Sequence, residues 1–218
     1  MERHPSPPAP ATGCTGFAGN CQSRNGPRKP PLFCAALQQA DIDFVRTREP
    51  GGTPMAEALR DTMLQQWHES VDGITELLLV FAARAQHLSH VIQPALAAGK
   101  WVVCDRFTDA TFAYQGYGRQ LDLAKLQTLE SWVQAGLQPD LTLYLDLEPS
   151  IAEQRIADRE KDRMEVERRD FFDRVRQGYL ARAAEHERFT TIDASQTLDL
   201  VQAQVQQVIV DFIRRVQT

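Results

Sequence analysis

Residues 101–116 read WVVCDRFTDATFAYQG, a four-residue apolar run that stops at an aspartate and an arginine. A β-rich apolar run that ends in charge reads as a buried strand delivering its last side chains to a cleft, because open parallel sheets bind ligands beyond the carboxyl ends of their strands. Asp105 and Arg106 are therefore candidate site residues. Behind them Thr111, Tyr114 and Gln115 fall on a turn of helix and form a donor and acceptor set able to read an amide-like base edge, with aromatics to stack it.

The pattern on either side repeats the same theme. IDFVR (42–46) is a short strand, and TPMAEALRDTMLQQ (53–66) opens a helix on a threonine cap with proline at its first position. ITELLLVFAARAQHLSHVIQPALAAG (74–99) has apolar residues at helical spacing, a kink expected at Pro94 and a stop at Gly99. Beyond the opening stretch come a helix over 123–136, an apolar strand over 141–147, helices over 149–157 and 167–184, a strand at 189–193 and an amphipathic helix from Leu198 to about Val216. Near-continuous apolar strands alternating with helices predict an α/β fold, a parallel sheet covered on both faces. Seven of the twelve prolines stand at or before Pro31, in a stretch with neither strand nor helix period. Residues 1–40 are therefore expected to be an irregular segment ahead of one domain over 41–218.

A chain of 218 residues, 43% hydrophobic and 24% charged, suits one core of ordinary size. The net charge of −5 argues against nucleic acid as the main partner, so any anion site must be built locally. No apolar run reaches the length of a membrane span and no secretory signal is found, which gives a cytoplasmic expectation with no membrane partner. The four cysteines lack metal-ligand spacing, so a structural zinc is not expected.

Three further groups of residues can carry chemistry. TREPGGT (47–53) lies at a strand end, where glycines let the backbone approach a ligand and Arg48 and Glu49 supply opposite charges. Arg60 lies on the next helix, and Arg84 stands in an otherwise apolar helix face. A buried arginine needs an anion, either a phosphate or a carboxylate from elsewhere in the fold. With Arg106, three guanidiniums can converge on one phosphate. The segment 155–176 is dense in arginine among acids; it is either a solvated helix face or a lid whose Arg155, Arg159 and Arg163 close over transferring phosphates.

TREPGGTPMAEALR, TELLLVFAARAQHL, CDRFTDATFAYQGYGR, PDLTLYLDL and DRMEVERRDFFDRVRQGYL together resemble bacterial thymidylate kinase, in order and spacing, from about Asp41 to the C-terminus. The resemblance implies a P-loop kinase fold with a five-stranded parallel sheet, transfer of the γ-phosphoryl of Mg-ATP to dTMP, and a homodimer formed through the long helices. It places Arg60, Arg84 and Arg106 on the dTMP phosphate or base, Glu49 and Asp105 near the phosphate and Mg2+, Thr111 and Gln115 on thymine, and Tyr114 against the deoxyribose. It puts Arg155, Arg159 and Arg163 in a lid near 155–166. Many relatives stack thymine on a ring four residues before the helix arginine; here that position is Val80, and Phe81, the nearest ring, is expected either to stack the thymine after a small rotation of the helix or to belong to the core.

The resemblance also implies a first strand leading into a G-x-x-x-x-G-K-[ST] loop, whose amides cradle the donor phosphates. The chain has neither where they are expected. RNGPRKPPLF (24–33) offers Lys29 as a weak echo, but Pro27, Pro30 and Pro31 have no N–H to give. The family pattern resumes near residue 33, as it would after a shifted reading frame, and the first strand is expected to be missing.

Overall fold

The computed structural model describes residues 11–14, 32–155, 163–164 and 166–217. Its elements, in chain order, are β1 (Ala11–Cys14), α1 (Leu32–Gln39), β2 (Phe44–Arg48), α2 (Pro54–Leu64), α3 (Gly73–His87), a π-helical segment Leu88–Ile92, α4 (Gln93–Ala97) and β3 (Trp101–Asp105). There follow α5 (Thr108–Thr111), a second π-helical segment Phe112–Gly118, α6 (Leu123–Gln134), β4 (Leu141–Asp146), α7 (Pro149–Arg155), α8 (Arg169–Glu185), β5 (Phe189–Asp193) and α9 (Leu198–Gln217). The five strands make one parallel sheet in the order β2-β3-β1-β4-β5.

β3 shows why both faces are covered. Successive strand side chains point to opposite faces. Trp101 and Val103 pack on one side with Leu37, Ile209, Phe212 and Ile213, while Val102 and Cys104 pack on the other with Leu88, Ile92 and Phe107. Trp101 meets Phe212 edge-on with ring centroids 5.8 Å apart. Each large apolar side chain buried in this way stabilises the fold by about 1.5–3 kcal/mol relative to exposure.

Two expectations are corrected here. The stretch 1–40 is not wholly irregular: Ala11–Cys14 is the central strand, paired with β3 and β4, and Leu32–Gln39 is helical. A four-residue strand is held by its backbone ladder, so ATGC needs no apolar run to occupy the place. The second strand begins at Phe44 rather than Ile42, whose N–H still donates to the carbonyl of Leu37 behind α1. Lys29 and the proline-rich stretch around it lie outside the described residues.

The helices follow their local chemistry. Thr53 caps α2, its hydroxyl accepting from the N–H of Ala56, and Asp72 caps α3, accepting from Ile74 and Thr75. The expected long helix is divided: α3 widens into the π-helical segment and restarts with Pro94 in the first turn of α4. A proline cannot donate back to the preceding turn, and a wider turn accommodates it. No described helix is long and apolar enough to cross a membrane.

Candidate active site

The carboxyl ends of β2, β3 and β1 lie level, Arg48 and Cys14 both in register with Asp105. Beyond β2 the chain turns through a cis Glu49–Pro50 bond and two glycines at positive φ, Gly51 and Gly52. At Gly52 (φ +87°) a Cβ would lie 2.5 Å from the ring of His87, so this turn must be bare to approach α3.

What it approaches is a buried polar knot. Arg84 donates from Nε to Glu49 Oε2 at 2.7 Å and from Nη2 to Thr111 Oγ1 at 2.7 Å. His87 Nδ1 lies 2.9 Å from Glu49 Oε1, and its Nε2 lies 2.6 Å from Thr47 Oγ1. Arg84 is 1% exposed and Glu49 3%, and the guanidinium lies over the rings of Phe81 and Phe107 at 4.9 and 5.1 Å. The anion that Arg84 meets in the fold is thus a carboxylate, the second of the two partners that the sequence left open. Both oxygens of Glu49 are engaged, which leaves it badly placed to hold Mg2+. Among the described residues no group of three or more His, Cys, Asp or Glu side chains is placed to hold a metal.

The other two arginines border the same turn. Arg60 reaches back from α2 to donate to the carbonyl of Pro50 at 3.1 Å. Arg106 follows Asp105, whose carbonyl accepts from the N–H of Glu49 at 2.9 Å. Arg106 takes a positive φ of 65° and lays its guanidinium 5.1 Å from the ring centre of Tyr114. Arg48 is held aside by Glu57 at 2.7 Å, and Glu57 also accepts from the N–H of Gly52.

Thr111 and the π-helical segment that follows carry the polar set read from the sequence. Thr111 and Gln115 are buried, and Tyr114 stands edge-on to Phe171 and Tyr179. Gln115 donates from Nε2 to Glu76 Oε1 at 2.7 Å. Glu76, fully buried on α3, also takes Arg119 at 3.1 Å and Arg163 at 2.6 Å. Burial would push its carboxyl up, but the hydrogen bonds from Arg119, Gln115 and Arg163 outweigh that and hold it below the usual carboxylate range.

Two expected site residues therefore have different surroundings. Arg163, expected over the transferring phosphates, is anchored to Glu76 and to the carbonyl of Met63 at 2.7 Å. Phe81 is buried, packed with Leu77, Phe112 and Leu126, and its ring lies beneath the Arg84 guanidinium. Val80, at the position where relatives carry the ring, is buried as well. Arg159 and the side chain of Arg155 lie outside the described residues.

Sequence reading missed Glu76, His87 and Asp109. Glu76, Val80, Ala83 and His87 recur at steps of four, three and four along the buried stripe of α3, so the signal was two titratable residues in an apolar face. Asp109, fully buried, is gripped by Arg182 at 2.9 Å and by Arg188 at 2.8 and 3.0 Å, which ties α5 to α8 and to the edge of β5.

The thymidylate kinase family model matches residues 31–205. The chain belongs to the thymidylate kinase family. It is 57% identical over 178 residues to the thymidylate kinase of Chromohalobacter salexigens, an alignment covering 80% of this chain and 84% of that one. It is 51% identical over 179 residues to that of Teredinibacter turnerae, covering 81% and 87%. The thymidylate kinase of Ehrlichia chaffeensis superposes with a TM-score of 0.67 at 27% identity, over 92% of this chain and 99% of the other. By family and fold the chain is a nucleoside monophosphate kinase, with the α/β parallel sheet that the sequence predicts.

Proposed function

We propose that this thymidylate kinase family member transfers the γ-phosphoryl of Mg-ATP to dTMP, giving dTDP, in the cytoplasm and as a homodimer. The reading is supported by the Glu49–Pro50 turn, where Arg60 donates to the carbonyl of Pro50, Arg84 joins Glu49 to Thr111, and the N–H of Glu49 meets the carbonyl of Asp105, the residue before Arg106. Phosphoryl transfer is mostly positioning and charge stabilisation, and these elements supply both for an acceptor. Arg60 and Arg106 take the acceptor phosphate. Arg84, already neutralised by Glu49, keeps its place beside Thr111 and serves the thymine edge with Gln115, while Tyr114 packs the sugar.

Asp105 is exposed at the end of β3 and offers a hard oxygen suited to a hydrated Mg2+. Arg155 and Arg159 belong to a lid near 155–166, rooted by Arg163, in a kinase domain that takes in β1 and α1 as well as the residues from about 41 to 218. Lys29 is a weak echo in the sequence of the donor-loop lysine.

A second reading, a thymidylate-binding protein without turnover, is favoured by one observation: the chain has no G-x-x-x-x-G-K-[ST] loop. Losing the lysine and amide cradle removes contacts worth roughly 2–4 kcal/mol each in comparable sites, so turnover several decades below that of loop-bearing relatives is expected. A coupled ADP-release assay with dTMP and Mg-ATP, run beside dTMP calorimetry, separates the readings. Turnover selects the kinase, binding alone selects the second reading, and neither sinks the acceptor site.

A further inference from the structure

We infer that Glu76 is a positioning residue that fixes which face of the Gln115 amide is shown to the base, and so selects a base with a ring N–H over one with a ring acceptor at that place. The inference rests on the proposed thymine contact of Gln115 and deepens it. A primary amide has one acceptor oxygen and one donor nitrogen, which can exchange places by rotation about the terminal bond. An ionised carboxylate only accepts. With Glu76 Oε1 at 2.7 Å, the atom facing it must be the NH2 group, and the carbonyl oxygen is turned to the opposite side.

Glu76 is kept ionised by its company. Arg119 and Arg163 both donate to Oε2, at 3.1 and 2.6 Å, while Oε1 takes Gln115 at 2.7 Å and a longer contact from Arg119 Nε at 3.3 Å, and Arg119 is itself steadied by Glu167 at 2.7 Å. Arg163 arrives from the root of the lid segment and Arg119 from the turn after the π-helical segment, so the orientation of the amide is held from three elements. An acceptor oxygen toward the base pairs with the imide N3–H of thymine or uracil. It faces the N3 lone pair of cytosine, a repulsion that rejects that base.

The variant Glu76→Gln gives the test a direction. The two arginines have only donors and make their two shorter contacts, 2.6 and 3.1 Å, at the same oxygen, so they draw the oxygen of the new amide to that place, and its NH2 group turns to residue 115 at the cost of the long Arg119 Nε contact. Gln115 must then present its own oxygen to residue 76 and its NH2 group to the base. Binding of dTMP and dCMP is measured by calorimetry on the full chain and on Glu76→Gln, with folding checked by circular dichroism. The dTMP-to-dCMP affinity ratio is expected to fall about tenfold or more, with dCMP itself binding more tightly than to the unaltered chain. A merely structural role would weaken both nucleotides alike, and an unchanged ratio overturns the inference.

If Glu76→Gln does not fold, Glu76→Asp keeps the charge for the arginines while drawing back from Gln115, and the ratio is expected to fall toward parity. The unaltered chain adds an independent readout: N3-methyl-dTMP, which has no N–H to give, must bind more weakly than dTMP, and equal binding overturns the inference. Absence of dTMP binding to the unaltered chain sinks the proposed acceptor site itself, a result distinct from a retained ratio in a variant that binds.

Discussion

Arg84 and Glu49 are an ion pair in which each partner is the other's main compensation for burial, 1% and 3% exposed. Removing one side of such a pair strands a charge in a medium that cannot solvate it, whereas replacing both leaves no stranded charge. Glu49→Ala is therefore expected to cost about 3–5 kcal/mol in urea unfolding, and Glu49→Leu combined with Arg84→Met distinctly less. A double variant as unstable as the single one would show that the pair is not what holds this knot. Acid acts on the same kind of contact. The carboxyl of Glu76 is held below its ordinary 4.5 by its donors against burial, and that of Asp146 below its ordinary 3.8, chiefly by Arg176. A carboxylate with a lowered folded value contributes stability that is complete above the ordinary value and lost as pH falls through the folded one. Melting temperature should accordingly hold steady down to about pH 5 and drop steeply below about pH 4, with a shallower drop in Asp146→Asn. An acid limb of the same slope in that variant counts against this account.

α8 lies directly on the π-helical segment that carries Tyr114 and Gln115, and the two approach so closely only because Gly178 has no side chain. A Cβ there would meet the Cα of Ala113 at 2.9 Å and the ring of Tyr117 at the same distance. Helix propensity alone favours replacing a mid-helix glycine by about 1 kcal/mol, but a clash with backbone costs typically about 1–3 kcal/mol, and a branched side chain adds to it. Gly178→Val is expected to lower the urea midpoint and to weaken dTMP binding together, since the displaced element holds the residues proposed above to read the base. A chain destabilised with unaltered dTMP affinity would show that the segment is positioned without α8. Elements of this kind were legible in the sequence to different depths. β3 and β4 were plain because strands buried on both faces are almost continuously apolar, and α2 was plain because Thr53 and Pro54 mark its start. β1 was not, because ATGC is held by ladder hydrogen bonds that leave no trace in side-chain pattern. At the site, the arginines announced themselves by their unlikely surroundings, while the acids that receive them did not. Which carboxylate meets Arg84 depends on a turn 35 residues away closing onto α3, and no periodicity records that distance.

At the scale of the whole molecule, some of the exposed apolar side chains lie on two helices that pack against each other, α3 and α6. Ile74 and Leu78 on α3 are 51% and 52% exposed, and Trp132 on α6 is 80% exposed. Ile74 and Leu78 are one helical turn apart, on the side of α3 away from the stripe that buries Glu76, Val80, Ala83 and His87. A second copy covering this face accounts for apolar area that a monomer would leave in water, in line with the homodimer proposed above. It would also stiffen α3, the element that carries both Arg84 and Glu76, so association and nucleotide binding should be coupled. Leu78→Lys combined with Trp132→Glu is expected to sediment as a monomer where the unaltered chain sediments as a dimer. It should also bind dTMP several-fold more weakly, although neither residue belongs to the buried clusters around Arg84 and Glu76. Sedimentation identical to that of the unaltered chain removes this face as the dimer contact, and monomerisation with full dTMP affinity removes the coupling while leaving the contact in place.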